Sequence, residues 1–413
     1  MLRIEGRAAT VLKAELMKRW RAPRRISHSQ RRGAPRGERR PRKEEDCPDQ
    51  YRSGVRDVEE DESPDRHVKE TVPRGTCQTM CPARELRDRE AQDRLHRFEM
   101  LAGSERDKRP KGDPLRAVKE YSRPAAGKDS TKPTDLRPPA VLMKTVCYLI
   151  DEVAASPDLQ PWTEVYSFVF DRLRAVKQDM IIQRVSGMEC VAILEPTVRF
   201  LIYSSYRLCG EPLRLYDPRI NDTHLQEYLG WLLDCYKTET GPLPNQEELQ
   251  ALGLLYNLGS ACYTQHIMEL PKQLRSSPAI TLALSINRAF LERNPVRLLR
   301  LSQRLNFLQS CALHRHLRTC RRDLLLLYSH GHSSRNCRFP LDRVAQLLLL
   351  DKSLAAQLCQ LYGVEVNQDN QVVFSKAAFI EPEQETLCSQ LYLDIVAEKQ
   401  RDLTVGRIVH GCY

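Results

Sequence analysis

Two cysteines that open the first apolar region are the first residues to test for chemistry. Cys77 and Cys81 are separated by three residues, and Pro82 follows directly. A structural zinc ion needs four ligands, usually two close pairs, and His96 is the only further candidate nearby. The spacing also differs from the Cys-x-x-Cys of a redox centre. We therefore predict buried or capping thiols, and we keep zinc as the alternative.

A second group of possible metal ligands lies later in the chain. Its members are Cys311, His314, His316, Cys320, His330, His332 and Cys337. At 100° per residue, Cys311 and His314 share one helical face, whereas His316 lies on another. One metal ion could not easily take ligands from both faces, so we expect core or solvent positions. A site that joins one helical pair to the later loop residues stays open.

Arginines at helical spacing form a third candidate. They are Arg297, Arg300 and Arg304, then Arg315, Arg318 and Arg322. Two neighbouring helices would present them as one basic surface for phosphates, with Lys352 as a further cation. The alternative is a solvated helix face, which charged rows commonly form. Binding of RNA to this surface is therefore a hypothesis.

Signatures of enzymes are missing from the sequence. No phosphate-binding glycine loop, Gly-x-Ser-x-Gly elbow, His-Glu-x-x-His pair or dinucleotide fingerprint occurs. The carboxylates Asp171 and Asp179 stand among arginines and lysines, which indicates ion pairs on a helix. We predict a non-enzymatic binding protein with no cofactor, no metal and no small-molecule substrate.

Charge divides the 413 residues into a leader and a body. Residues 1–43 carry fifteen Lys and Arg against three acids, and residues 44–70 carry eleven acids against four bases. Such segments bury little apolar surface, so we expect disorder over 1–70. We see no secretory signal and no stretch of membrane-spanning length. The 14 cysteines are then expected to be reduced thiols of an intracellular protein without membrane contact.

The body has the apolar periodicity of successive helices. We predict them over about 82–101, 113–121, 141–153, 161–176, 191–208 with a bend near Pro196, 224–236, 246–262, 279–291, 296–309 and 311–328. Scarce glycine and frequent leucine, arginine and glutamate support a mainly α fold. Short Pro- and Gly-containing turns between these helices predict stacked helical hairpins.

The end of the chain changes pattern. Two short helices over 339–350 and 353–362, a C-cap at Gly363 and two β-prone arms within 364–374 outline a winged-helix module. The predicted organisation is a charged leader over 1–70, a helical platform over 71–335, a winged helix over 336–381 and a C-terminal extension over 382–413.

Several motifs in a fixed order resemble one protein family. They lie in residues 75–89, 118–126, 136–142, 171–183 and 198–200, and their marked positions are Cys77, Met80, Cys81, Pro82, Glu85, Arg89, Asp171, Arg172, Arg174, Gln178 and Asp179. Over roughly 300 residues such a series is far more specific than one short match. The chain resembles the Sac/GANP family (suppressor of actin; germinal-centre-associated nuclear protein), in which we expect these residues to be structural.

The resemblance implies a TPR/PCI-like helical platform that ends in a winged helix and catalyses nothing. Expected partners are a PCI-type subunit, a small acidic protein and RNA bound in an mRNA-export (TREX-like) complex. In place of the phenylalanine-glycine repeats of long members stands the charged leader, so we expect closest likeness to the short, Sac-domain-only animal branch. That branch implies a scaffold in centrosome duplication and spindle progression in the cytoplasm, with the nucleus as the alternative location.

Overall fold

Helices that pack against their neighbours build most of the structure. The computed structural model describes residues 72–123, 132–239, 243–382 and 393–412, so the predicted leader lies outside the described residues. The helices are α1 Ala83–Ala91, α2 Pro139–Tyr148, α3 Trp162–Ile182, α4 Gly187–Arg207, α5 Pro218–Thr238, α6 Gln246–Tyr256, α7 Ala261–Glu269, α8 Lys272–Arg275, α9 Pro278–Leu291, α10 Pro295–Ser302, α11 Phe307–Gly331, α12 Leu341–Leu348, α13 Lys352–Leu361, α14 Leu393–Gln400 and α15 Val405–His410. The strands are β1 Arg338–Pro340, β2 Glu365–Val366 and β3 Gln371–Val373. The predicted mainly α class with a small sheet near its end is confirmed.

Helix α4 lies at the centre, in contact with α2, α3, α5, α11 and α15. Fifteen of its 21 residues are buried, so it has no solvent face of the usual width. Helix α4 runs through Pro196 without an interruption, and the bend near this residue stays a prediction. Packing on all sides holds the turn at which Pro196 supplies no backbone N–H.

The first predicted helix is too long. Helix α1 ends at Ala91, and Asp93 turns the chain with a positive φ of 54°. A single 3₁₀ turn over Arg97–Glu99 follows and directs Phe98 towards Phe168, with 5.5 Å between the ring centroids. Phe98 therefore packs into the core from a loop and not from a continuation of α1.

The helix predicted over 113–121 does not form beyond a turn, because other segments take its backbone N–H groups. The Val118 N–H donates to a carboxylate oxygen of Glu99 at 2.8 Å, and the Lys119 N–H donates to the Met80 carbonyl at 3.0 Å. Tertiary hydrogen bonds have replaced helical ones here. Local sequence pattern does not reveal such partners.

Two predicted helix boundaries are also wrong. The helix predicted over 246–262 is two helices, because Gly259 adopts a left-handed φ of 78° and Ser260 caps α7. The boundary predicted near 310 lies earlier, because Asn306 and Gln309 form a reciprocal capping box at the start of α11.

The C-terminal module contains α12, α13 and a three-stranded antiparallel sheet in the order β1-β3-β2. Phe339 stands opposite Val372 in one pairing, and Val366 stands opposite the same residue in the other. Helix, helix and hairpin occur in the predicted order of a winged helix. The sequence analysis missed β1, because it assigned Phe339 and Pro340 to the start of a helix.

A buried arginine connects this module to the platform. Arg321 of α11 donates through Nε to the Leu348 carbonyl at 2.9 Å and through Nη2 to the Leu349 carbonyl at 3.2 Å. These are carbonyls at the C-terminal end of α12, where a cation is favoured by the helix dipole. Helix α10 contacts α12 as well.

The C-terminal extension returns to the platform. The Lys399 ammonium group donates to the carbonyls of Ser302 and Leu305 and to the Ser310 hydroxyl, at 2.8–3.2 Å. Helix α15 then packs on α4 and on the π-helical turn Leu149–Ala154. The extension thus links the α10–α11 corner to the first helices of the platform.

None of the helices in the described ranges combines the length and apolarity that crossing a membrane requires.

The winged-helix geometry predicts a specific glycine requirement. Gly363 has a φ of 69°, and an added methyl group would overlap the carbonyl oxygen of Ala378. Gly363→Ala should lower the free energy of unfolding by about 2 kcal/mol or more, because a left-handed backbone alone costs roughly 1–2 kcal/mol. Urea unfolding followed by circular dichroism measures this change.

Gly230→Ala is the matched control, because that glycine lies inside α5 with no neighbour within 4 Å of an added Cβ. It should raise stability by roughly 0.5–1 kcal/mol. If Gly363→Ala were as stable as the unchanged protein, the close turn after α13 would be wrong.

Candidate functional site

The motif residues meet along one side of α3. The segment over residues 75–82, here called the cysteine segment, runs beside the chain that leads into α2. The Gly75 N–H donates to the Gln183 side-chain carbonyl at 2.8 Å, and the same amide donates through Nε2 to the Arg137 carbonyl at 2.7 Å. One glutamine at the end of α3 therefore holds two segments that are about 60 residues apart.

Asp179 is the centre of this arrangement. Its carboxylate is fully buried and receives the Lys119 ammonium group at 2.7 Å and the Arg137 Nε at 2.7 Å. Arg137 is also fully buried, and its Nη1 donates to the Met80 carbonyl at 3.2 Å. A buried charge is tolerated only with partners, so each member requires the others. These partners lie outside α3, so the ion pairs predicted within one helix are wrong for Asp179, whereas Asp171 pairs with Arg172 on α3 at 2.5 Å.

Glu99 forms a second buried centre that the sequence analysis missed. Its carboxylate accepts from Arg89 at 2.7 Å, from Arg172 at 3.0 Å and from the Val118 N–H at 2.8 Å. Arg89 is fully buried and also donates to the Val118 carbonyl at 3.0 Å. Glu99 stands in a highly charged stretch, so no sequence signal separated it from solvated neighbours.

Cys81 belongs to the same buried network. Its sulfur accepts from the Arg89 Nη2 at 3.2 Å, and burial raises the pKa of its thiol to about 12. Cys77 is buried too, and its sulfur donates to the Thr79 carbonyl at 3.3 Å. Across the described ranges, no three His, Cys, Asp or Glu side chains converge as metal ligands. Both cysteines are packed side chains of the protein interior.

The outer residues of the α3 motif hold the chain over 119–123. Asp171 accepts from the Tyr121 N–H at 3.2 Å, and the Arg174 guanidinium lies over the Tyr121 ring at 3.8 Å. Gln178 donates to the Ser122 carbonyl at 2.9 Å. On α1, Glu85 accepts from the Glu120 N–H at 2.8 Å. Motif residues that look catalytic in sequence are thus occupied in fixing neighbouring backbone.

The later Cys and His residues do not converge on one point. His314 is buried edge-on against Tyr206 at 5.2 Å, and burial lowers its pKa to about 4. His316 contacts the Tyr256 carbonyl through Nε2 at 3.0 Å. Cys311 and Cys320 are buried, while His330, His332 and Cys337 follow at the end of α11 and in the loop before β1. Core placement accounts for Cys311, His314 and Cys320, whereas His316 is half-buried and His330 is exposed.

The predicted arginine surface divides into two parts. On α11, Arg315 is held by Asp222 at 2.9 Å and lies over the Tyr256 ring at 4.3 Å, while Arg322 pairs with Glu381 and Asp323. Burial alone would raise the pKa of Asp222, but the hydrogen bonds from Arg315 and Tyr256 lower it. These two arginines are therefore occupied within the chain.

The α10 arginines are more open. Arg300 and Arg304 are exposed, whereas Arg297 is partly exposed and pairs weakly with Glu292 at 3.4 Å. Arg304 lies in the turn after α10, because the helix ends earlier than predicted. Lys352 pairs with Asp342 at 2.8 Å on the surface, and Arg318 is half-buried on α11.

The described residues thus form a helical platform, a terminal winged helix and a network of buried ion pairs. The SAC3/GANP family profile matches residues 80–368, well over half of the chain. The chain belongs to the SAC3/GANP family, a family of non-catalytic scaffolds.

Similar proteins come from distant eukaryotes. SAC3 family protein 1 of Schizosaccharomyces pombe is 27% identical over 367 residues, which cover 82% of this chain and 35% of that protein. Protein xmas of Drosophila melanogaster is 28% identical over 84% of this chain and 17% of its own length. SAC3 family protein B of Arabidopsis thaliana is 23% identical over 71% of this chain and 18% of its own length. The chain thus spans about a third or less of each of these relatives.

The buried centre at Asp179 makes a clear stability prediction. Asp179→Asn keeps the shape of the side chain but leaves Arg137 and Lys119 without their counter-charge. The free energy of unfolding should fall by about 3–5 kcal/mol. The control is Asp88→Asn, because Asp88 and Arg84 are 3.9 Å apart on the surface, and it should cost no more than about 0.5 kcal/mol. Urea unfolding measures both free energies. Equal losses of unfolding free energy in Asp179→Asn and Asp88→Asn would refute the anchoring role of Asp179.

The thiols make a chemical prediction. Because the pKa of Cys81 is raised to about 12, only about one thiol in ten thousand is ionised at pH 8. Iodoacetamide labelling, read by peptide mass spectrometry, should modify the exposed Cys262 well before Cys81. A chelator should leave this difference unchanged. Rapid labelling of Cys81 only after chelation would favour the zinc alternative.

Proposed function

We propose that this protein is a non-enzymatic scaffold in centrosome duplication and spindle progression. One observation carries the non-enzymatic part of the proposal: the motif residues are engaged in packing. Asp179, Glu99, Arg89 and Cys81 all face protein partners within hydrogen-bond distance. A catalytic side chain must come within hydrogen-bond reach of its substrate. These side chains are enclosed by their protein partners and have no such access. Family membership supports protein partners in general.

The proposed division of labour follows the architecture. The platform over 71–335 provides long helical surfaces, and the module over 336–381 provides a short sheet edge and two exposed helix faces. We expect a PCI-type subunit and a small acidic protein as partners. The centrosomal and spindle role comes from the likeness to the short, Sac-domain-only branch, and the cytoplasm is the expected location.

A second candidate function is RNA binding in a nuclear mRNA-export complex. The observation in its favour is the exposure of Arg300 and Arg304, with Arg297 beside them. Cations that are not buried in ion pairs can release counterions from a phosphate chain. The occupied arginines of α11 reduce the basic surface that the sequence predicted, which weakens this candidate against the first.

One experiment separates the two candidates. We would replace Arg297, Arg300 and Arg304 together by Glu in the full chain, with Arg84, Arg275 and Arg401 replaced by Glu as the matched control. If the protein binds single-stranded RNA through α10, the first variant should lose at least about ten-fold in affinity. The slope of log affinity against log salt should become shallower by about 2, because each phosphate that an arginine neutralises accounts for roughly 0.7 of that slope.

Localisation of tagged proteins in dividing cells completes the test. The scaffold proposal expects centrosome and spindle signals for the unchanged protein and for both triple variants. Exclusively nuclear signal throughout the cell cycle would contradict it. Absence of any salt-dependent RNA affinity in the purified protein would eliminate the second candidate.

A further inference from the structure

A groove of about 360 Å³ opens where α9, α10 and α11 meet. It lies on the platform, away from the buried charge network. Pockets for small ligands commonly measure about 300–1,000 Å³, so this one is large enough for one or two side chains. Its lining includes the apolar side chains of Phe290, Leu291 and Leu298, here called its floor, and the charged side chains of Arg293, Arg322 and Asp323.

The floor is apolar and held in place. Phe290 packs edge-on against His316 at 5.6 Å, and an added Cβ on Gly259 would come within 2.8 Å of its ring. Leu298 is almost completely buried, but Leu291 is 57% exposed. A leucine this exposed beside a concave apolar floor is a site where a further apolar side chain could be covered.

The chain around the groove is basic. Residues 288–304 contain five arginines and a single acidic residue, Glu292, and Arg293 is the one of these arginines that lines the groove. Glu292 is shared between Arg288 at 2.7 Å and Arg297 at 3.4 Å. Arg293, in contrast, has no hydrogen bond or ion pair from its guanidinium to the part of the chain that the structure describes.

The backbone places Arg293 over the groove. It is the second residue after α9, directly after the C-cap Glu292, and its left-handed φ of 51° is a conformation that usually favours glycine. The Asn294 N–H closes the turn on the Ala289 carbonyl at 2.9 Å. The arginine is therefore presented by a fixed turn rather than by a flexible loop.

We propose that this groove is a docking site for an acidic segment of a partner protein, with one large apolar side chain as its anchor. The anchor covers Leu291 beside the partly exposed Phe290, and neighbouring carboxylates of the partner pair with Arg293 and the α10 arginines. The site lies outside the winged helix and goes beyond the scaffold role proposed above. Peptide binding in solution can be measured whatever the location of the protein in the cell.

The floor favours a peptide over a nucleic acid. Bases are usually bound on the open faces of aromatic rings, whereas Phe290 is held between Gly259 and His316. Asp323 and Glu381 pair with Arg322, so the negative charges of either ligand would have to face Arg293 and the α10 arginines instead. A segment with spaced carboxylates and one apolar side chain matches this arrangement, because its anchor needs no open ring face.

The test uses the full chain and three fluorescent probes. The first is a peptide of about twelve residues, rich in Glu and Asp, with one central phenylalanine. The second has serine in place of that phenylalanine, and the third is an oligouridylate of similar charge. Fluorescence anisotropy gives each dissociation constant, and circular dichroism checks that every variant is folded.

We expect the phenylalanine peptide to bind more tightly than the serine peptide by about ten-fold, from burial of one aromatic side chain. Arg293→Glu should lower the affinity for the phenylalanine peptide by about ten-fold or more. Leu291→Ser should lower the affinity for the phenylalanine peptide but leave the affinity for the serine peptide unchanged. Arg84→Glu, which reverses an exposed charge on α1, should change neither.

Three results would overturn the proposal. The first is equal affinity for the two peptides, or no binding of the phenylalanine peptide up to about 1 mM. The second is unchanged binding in both Arg293→Glu and Leu291→Ser. The third is an oligouridylate that binds more tightly than the peptide and depends on Arg293, which would make the groove a nucleic-acid site.

Discussion

The buried carboxylate of Asp179 is the interaction on which the rest of the structure depends. It joins α3 to Lys119 from one segment and to Arg137 from another, while Arg137 reaches back to the Met80 carbonyl. Isolated charges in a protein interior are so unfavourable that such a cluster forms completely or not at all. These contacts therefore define where the cysteine segment, Lys119 and Arg137 lie relative to α3.

The sequence was sufficient for the parts of the fold that follow from local pattern. Periodic apolar residues located most of the platform helices, and Gly363 marked the end of α13. It was insufficient where hydrogen bonds to residues distant in the sequence determine the local structure. The stretch over 113–121 has a helical pattern but gives its N–H groups to Glu99 and Met80. At the candidate site, the motif positions were identified, but Glu99 and the ion pairs of the α11 arginines depend on tertiary proximity.

These interactions separate the polar residues of this chain into two groups. Those of the buried network bond to backbone groups and to each other, and the protein encloses them. Arg293 beside the groove, and Arg300 and Arg304 in and after α10, are exposed to a partner. The returning C-terminal extension, anchored by Lys399, stabilises the corner from which α10 projects. A scaffold needs this combination of a rigid interior and an open surface.

Amide hydrogen exchange by mass spectrometry tests the central claim most directly, because it reports the stability of individual backbone hydrogen bonds. The amides of Thr76, Cys77 and Lys119 donate to backbone carbonyls of other segments at 2.8–3.0 Å. If the buried charges fix this irregular region, these amides should exchange as slowly as those inside α3 and α4. Exchange as fast as that of an exposed loop would contradict the account.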